Sequence, residues 1–386
     1  MVAVNSMVGI AATDIDIANT AADFKQLLLA EIAQATSRIY ISALYIQDDT
    51  AGREILAALY QAKQQTPTLD ICLFVDFHRA QRGLIGDKES GGNRDLYLAL
   101  EQQHQVSIKI YGVPVKRKEL LGVLHLKGMV NQGEVPSAKK IKRKIIRLTK
   151  LLKVAKYKLL NTNKRGSNSA EIQASMFVGC GRRGNQLNRV IRDLVRNSQE
   201  SLIIFTPYFN LPKPLLRDLD AALKRGVKVT LTVGDKKAND FYNADETTFS
   251  TVEIVPYIYE RLLVSFLSRR QKHLDNGNLS LRLWQDGSNS FHLKGIVADN
   301  RYHLLTGSNL NPRAWSLDLE NGILLDDEKG QLTDKFNAEF KRITEHTKVI
   351  HNIADIESVH NYPDKPRKLL KRLRMTQIDR LLKRFL

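Results

Sequence analysis

The sequence predicts an α/β protein made of two copies related by a pseudo-twofold. Two observations carry that prediction. Helical and β-rich apolar segments alternate along the chain, and the alternation recurs, each time reaching the tetrapeptide HLKG. In the first copy an amphipathic helix over 23–36 leads into the strand RIYISALYI at 38–46, and a helix over 51–64 into the strand LDICLFVD at 69–76. The second copy has a helix over 186–197, the strand SLIIFTPYF at 201–209, a helix over 214–225 and the strand VKVTLTVGD at 227–235. Tyr45 and Tyr208 stand near the ends of corresponding strands; Tyr45 precedes His125 by 80 residues and Tyr208 precedes His292 by 84. After His292 the second copy runs on through RYHLLTGSN at 301–309, the strand GILLDD at 322–327 and a helix over 331–345. The first copy has nothing comparable after Val130.

The 386 residues, 43% of them apolar, suffice for two lobes with buried cores. Lys and Arg outnumber Asp and Glu by 59 to 41, a net charge of +18 that favours a polyanionic partner, either nucleic acid or an anionic membrane face. Cys72 and Cys180 give neither a zinc spacing nor a disulfide framework and read as inert thiols of a reducing compartment. No signal-peptide pattern opens the chain, and no apolar run approaches the roughly 18–20 residues of a membrane span. The expectation is a cytoplasmic protein, peripheral on the inner membrane face. Two basic stretches support it. Residues 139–158 hold ten Lys or Arg and no acid, with Ile141, Ile145, Leu148, Leu152, Ala155 and Leu159 on one helical face; residues 365–386 hold nine Lys or Arg and one Asp. The competing reading packs each apolar face on its own domain and leaves the charges solvated.

The chemistry is expected at the two tetrapeptides. Residues i and i+2 of a strand share a face, so His125 with Lys127, and His292 with Lys294, should project side by side. An ammonium beside an imidazole keeps the ring neutral and nucleophilic near pH 7, and it can also hold phosphodiester oxygens. Two such couples around one phosphate supply a nucleophile and a general acid/base. A third His-x-Lys, His346-Thr347-Lys348, falls on a predicted helix and is given no role.

HLKGIVAD at 292–299, followed by Gly307-Ser308-Asn309 and then Glu320, resembles the HxKxxxxD, GSxN, acid motif of the phospholipase D superfamily. Around it, TPYFNLPKPLLRDL at 206–219, VGDKKANDFY at 233–242, LNPRAWSLDLEN at 310–321, VDFHRAQRG at 75–83, YGVP at 111–114 and the basic tail at 362–386 are similar to the Gram-negative phosphatidylserine synthases of that superfamily. The resemblance spans the chain except residues 131–170. It implies two α/β/α sandwich lobes with the active site at their interface, and a ping-pong reaction without cofactor or metal. One histidine takes the phosphatidyl group from CDP-diacylglycerol and passes it to L-serine. Carried over, His125 is the nucleophile and His292 the general acid/base, though the near-symmetric site does not break that tie. Lys127, Lys294 and Asn309 hold phosphate oxygens, Glu320 orients a histidine, and Tyr208 and Arg79 contact cytidine or phosphate. Asp299, of opposite strand parity to His292, is structural.

The first motif departs from the pattern. Gln132 stands where its acid falls due, and no GSxN-like segment follows. A stretch of the protein is missing from this sequence, or half of the site is damaged, or a partner completes it; the first two are preferred to a new architecture. The expected division is a first lobe over 1–170, a second over 171–350 and a basic tail over 351–386. A cardiolipin-synthase-like enzyme, a phospholipase D or nuclease, and an inactive membrane-binding protein are the rival readings.

Overall fold

The computed structural model describes residues 7–83, 92–116, 121–131, 172–243, 245, 249–376, 382, 383 and 386. The basic stretch 139–158 and Gln132 lie outside the described residues. The first part of the chain forms β1 (Val8–Ile10), α1 (Ala21–Gln34), β2 (Arg38–Ser42), α2 (Thr50–Gln65), β3 (Asp70–Asp76), α3 (Asn93–Gln103), β4 (Lys109–Val113) and β5 (Gly128–Asn131). Then come β6 (Ile172–Cys180), α4 (Gln186–Asn197), β7 (Ser201–Thr206), α5 (Lys213–Lys224), β8 (Lys228–Gly234), α6 (Val255–Leu267), α7 (Gln271–Asp275) and β9 (Leu279–Trp284). The chain closes with β10 (Gly295–Ala298), β11 (Tyr302–Thr306), α8 (Pro312–Ser316), β12 (Leu319–Asp326), α9 (Thr333–Glu345), β13 (Thr347–Ile350) and α10 (Asp364–Met375).

Caps and apolar spacing account for the repeated helices. Thr20 and Asp23 form a capping box on α1, Asp49 accepts from Gly52 N–H at 2.7 Å to start α2, and Asn185 accepts from Asn188 N–H at 2.9 Å to start α4. On α4, Leu187, Val190, Ile191, Leu194 and Val195 are buried at helical spacing. Gly226, at φ 90°, takes the left-handed conformation that turns α5 directly into β8.

The strands form two sheets. One has the order β4-β3-β2-β5; the other, of nine strands, has the order β1-β6-β12-β11-β10-β7-β8-β9-β13. The repeat is visible as topology. β2, β3 and β4 are parallel, with β5 antiparallel on β2; β7, β8 and β9 are parallel, with β10 antiparallel on β7. Ile39, Leu56, Leu59 and Leu73 lie in the first core, and Ile191, Leu202, Leu215 and Leu231 in the second. The second sheet continues from β10 into β11, β12, β6 and β1, whereas the first ends at β5 among the described residues.

Several expectations shift in detail. The two HLK tripeptides are not in strands; they are extended segments entering β5 and β10, which begin at Gly128 and Gly295. Strand β7 stops at Thr206 because Pro207 has no N–H for the ladder. His346-Thr347-Lys348 is not helical: His346 caps α9, and Thr347 and Lys348 open β13, which covers the edge of β9. At the chain start, β1 crosses the expected lobe boundary to pair with β6, and Ile10 and Ile15 pack near Leu332.

Residues 351–376 are not a free tail. Tyr362 and Leu370 are buried with Tyr257 and Tyr259, and Lys236 bonds Glu260 at 3.0 Å and pairs with Glu357. The apolar side of α10 is spent on this core, while Lys365, Arg367, Lys368, Lys371, Arg372 and Arg374 stay exposed. Among the described residues no helix is long and apolar enough to cross a membrane.

Candidate active site

The first tetrapeptide is held by the second sheet. Leu124 forms a parallel bridge with Leu319 at the start of β12; His125 N–H donates to Leu319 O at 2.9 Å, and Leu319 N–H to Val123 O at 3.0 Å. Side chains extend this seam. Asp318 Oδ1 accepts from Val123 N–H at 3.0 Å; Asn321 accepts from Lys127 N–H at 3.1 Å and donates to Lys127 O at 2.8 Å. From the other side Asp76, at the end of β3, accepts the N–H groups of Leu124 and Arg79, each at 2.8 Å, and of His78 at 3.0 Å. These bonds leave His125 little freedom.

They also bring the two copies into chemical contact. Glu320, 1% exposed, lies 2.9 Å through each oxygen from His125 Nδ1. An ionised Glu320 only accepts, so Nδ1 then carries the hydrogen and Nε2 keeps its lone pair. Lys127 Nζ stands 2.8 Å from that Nε2. Gly307 packs over the group, and a Cβ there would meet His125 O at 3.2 Å, Glu320 Oε2 at 3.3 Å and Lys127 Nζ at 3.5 Å. The glycine of the GSN segment is therefore a matter of close approach.

The second couple is more open. Lys294 Nζ lies 2.6 Å from His292 Nδ1 and 3.2 Å from Nε2, and the His292 side chain is 44% exposed. No carboxylate among the described residues is within hydrogen-bond range of its ring; the nearest, Asp240 Oδ2, is 3.9 Å from Nε2. This asymmetry follows from the topology. Glu320 sits on β12, and the first sheet has no counterpart of β12 among the described residues.

Burial, then the charges of Lys127 and Lys294, push His125 down to about 3, so its ring is neutral at pH 7. Burial first and Lys294 second hold His292 below its ordinary value, and His125 and Lys127 act on it in the same direction. Burial and then Lys127 bring Lys294 down to about 7. Burial raises the carboxyl of Glu320, with Lys127, Lys294 and Arg313 opposing. Each couple thus feels the charges of the other.

The other expected residues divide. Asn309 has a buried Oδ1 with no hydrogen-bond partner among the described residues, while its carbonyl accepts from Thr206 Oγ1 at 2.7 Å. A buried amide oxygen left so is costly unless a ligand or water meets it. Tyr208 donates to Asp240, stacks on Tyr259 at 5.2 Å and meets the His292 ring edge-on at 6.0 Å. Arg79 lies over the ring of Tyr45 at 5.0 Å, and its backbone N–H donates to Asp76, which also accepts from Leu124 N–H. Asp299 is remote from this chemistry. At φ 54° in the β10–β11 turn, its Oδ1 accepts from the N–H groups of Gln199, Glu200 and Ser201 at 3.0, 2.8 and 3.0 Å. Asp299→Ala is expected to cost about 0.5–1.5 kcal/mol of stability, read as a lowered urea midpoint, because the exposed turn loses the acceptor that ties it to the start of β7.

Asp76, Asp318, Asn321 and Asp240 were not singled out from the sequence. Asn321 adjoins Glu320, and Asp76 is an acid closing an apolar strand-like run, so both positions carried a usable signal.

A relative from Escherichia coli strain K12, a CDP-diacylglycerol–serine O-phosphatidyltransferase, is 37% identical over 431 residues, covering 97% of this chain and 94% of that protein. The chain belongs to the CDP-diacylglycerol–serine O-phosphatidyltransferase family. The family's Haemophilus influenzae representative is 35% identical over 97% of this chain and 95% of its own length. The crystal structure of phosphatidylserine synthase from Haemophilus influenzae Rd KW20 superposes with a TM-score of 0.90 at 34% identity, covering 99% of this chain and 98% of that one. Residues 191–344 also match the family model described as cardiolipin synthase, PLD-like domain, which places the family's second copy in the phospholipase-D-like fold. The E. coli alignment, at 431 residues, is longer than the 386 of this chain, so it opens gaps in this sequence.

Proposed function

We propose that this chain transfers the phosphatidyl group of CDP-diacylglycerol to L-serine through a phosphatidyl-histidine, releasing CMP. The observation that carries the reading is the bond from His125 Nδ1 to Glu320, set between two His–Lys couples. Nε2 of His125 attacks the phosphatidyl phosphorus, and the bond from phosphorus to the CMP oxygen breaks. The serine hydroxyl then attacks the same phosphorus as its proton passes to His292, and the phosphorus–nitrogen bond breaks. Lys127, Lys294 and Asn309 hold the phosphate oxygens. A phosphate oxygen draws the Lys127 ammonium away from Nε2 and releases the lone pair for attack. Serine-dependent CMP release from CDP-diacylglycerol in mixed micelles tests the reading; release indifferent to serine contradicts it.

Lys294 titrates at about 7, so the free site carries its charge below that pH and loses it above. Apparent affinity for the anionic donor is expected to fall as pH rises through 7. Bound phosphate favours the charged form, so kcat should fall less than kcat/KM over the same range. In Lys294→Arg this limb of the kcat/KM profile should move out of the measurable range.

The exposed cations of α10 support a peripheral site on an anionic membrane face. With its apolar side packed inward, α10 binds by charge and not by insertion. Replacing Lys368, Lys371, Arg372 and Arg374 by Gln is expected to weaken binding to anionic vesicles by about 1 kcal/mol per charge, with the residual binding less sensitive to salt. Sedimentation with the vesicles measures it.

A further inference from the structure

We infer that Asp240 is the anchor for the ammonium group of the serine acceptor. The inference rests on the phosphatidyltransfer reading above and adds a residue that confers acceptor specificity.

A carboxylate beside a site for a diphosphate donor works against donor binding, because like charges repel. Asp240 is nevertheless built in with care. Its loop is tied to the segment before His292 by the Phe291 N–H bond to Ala238 O at 2.9 Å, and the turn is closed by Tyr242 N–H to Asn239 O at 2.9 Å. Tyr208 donates to Oδ2, and the aspartate side chain stays 42% exposed. The two copies differ here in sign. Tyr45 and Tyr208 occupy corresponding positions, yet Tyr45 lies under the Arg79 guanidinium while Tyr208 bonds the Asp240 carboxylate. Lys127 and Lys294 supply the cations that a phosphate donor requires. Asp240 offers an anion that repels phosphate oxygens and accepts a cation or an N–H or O–H donor.

Serine can use it. Oδ2 of Asp240 lies 3.9 Å from His292 Nε2, too far for a hydrogen bond between them. The hydroxyl oxygen and ammonium nitrogen of serine are three bonds apart, about 3–3.7 Å depending on rotamer. A serine whose hydroxyl donates to Nε2 therefore brings its ammonium to the aspartate. One contact deprotonates the nucleophile, and the other selects an acceptor with a cation beside its hydroxyl.

The test uses the full chain and Asp240→Asn, with two assays on each. Exchange of labelled CMP into CDP-diacylglycerol needs no acceptor and reports the donor half-reaction and an intact fold. Transfer is then measured to serine and to 3-hydroxypropanoate, which is serine without its ammonium. The expected result is that transfer to serine, relative to CMP exchange, falls about 10–100-fold through a raised serine KM, the loss of one charge-assisted hydrogen bond. The preference for serine over 3-hydroxypropanoate should collapse with it, and Asp240→Glu should recover part of both. A proportional fall in exchange and transfer would mean that Asp240 acts through His292 or the fold, and would overturn the inference. An unchanged serine KM would overturn it too. Absence of CMP exchange in the unaltered protein would instead refute the phosphatidyltransfer reading itself.

Discussion

Replacing Glu320 by glutamine is expected to lower serine-dependent CMP release on the order of a thousandfold while the protein stays folded. The carboxylate accepts from His125 Nδ1 and is buried beneath Gly307. It holds the tautomer that leaves Nε2 nucleophilic, and its charge offsets the positive charge that the ring gains on bonding phosphorus. A glutamine oxygen can still accept from Nδ1 but brings no charge, and its NH2 group stabilises the wrong tautomer. Burial opposes the charged form of Glu320, so a neutral amide removes a cost from the folded state. The thermal midpoint should therefore not fall in step with the rate. A variant whose rate and midpoint both collapse would make Glu320 a structural residue. Full activity would remove it from the site.

Replacing His292 by alanine should separate the half-reactions. CMP leaves as a phosphate whose second pKa is about 6, so its departure needs little help from an acid. A serine hydroxyl is a poor nucleophile until a base takes its proton, a contribution of about 10²–10⁴-fold. Labelled CDP-diacylglycerol should thus still charge His125 in His292→Ala, while transfer to serine falls by about that factor. The variant should accumulate protein-bound lipid, seen as a burst of CMP near one equivalent followed by slow turnover. Equal slowing of burst and turnover would assign His292 to the first step.

The repeat was legible because it is written in local signals. The predicted helix over 186–197 matches α4, where Asn185 supplies the cap and the apolar spacing is clean. The side-by-side placement of each histidine and lysine was legible from extended-chain parity, even though the tripeptides precede their strands. The seam was not. Leu124 meets Leu319, residues 195 apart as are His125 and Glu320, and no local pattern encodes which strand start receives the first tetrapeptide. Hence the sequence placed an orienting acid on a histidine without telling which one. After Val130 the sequence offers no counterpart of the GSN segment and acid that follow His292. His292 has no acid matching Glu320 among the described residues, so the site is less symmetric than its motifs. For the basic tail, charge composition left two readings open and does not reveal that Tyr362 and Leu370 turn its apolar side inward.

The most direct test of this account is to locate the covalent intermediate. His292→Ala is incubated with CDP-diacylglycerol carrying a labelled phosphatidyl group, digested under mildly alkaline conditions that preserve phosphohistidine, and mapped by mass spectrometry. The account predicts the label on the peptide containing His125, and its loss when His125 is also replaced. Label on any other residue, or CMP release without label on the protein, would contradict it.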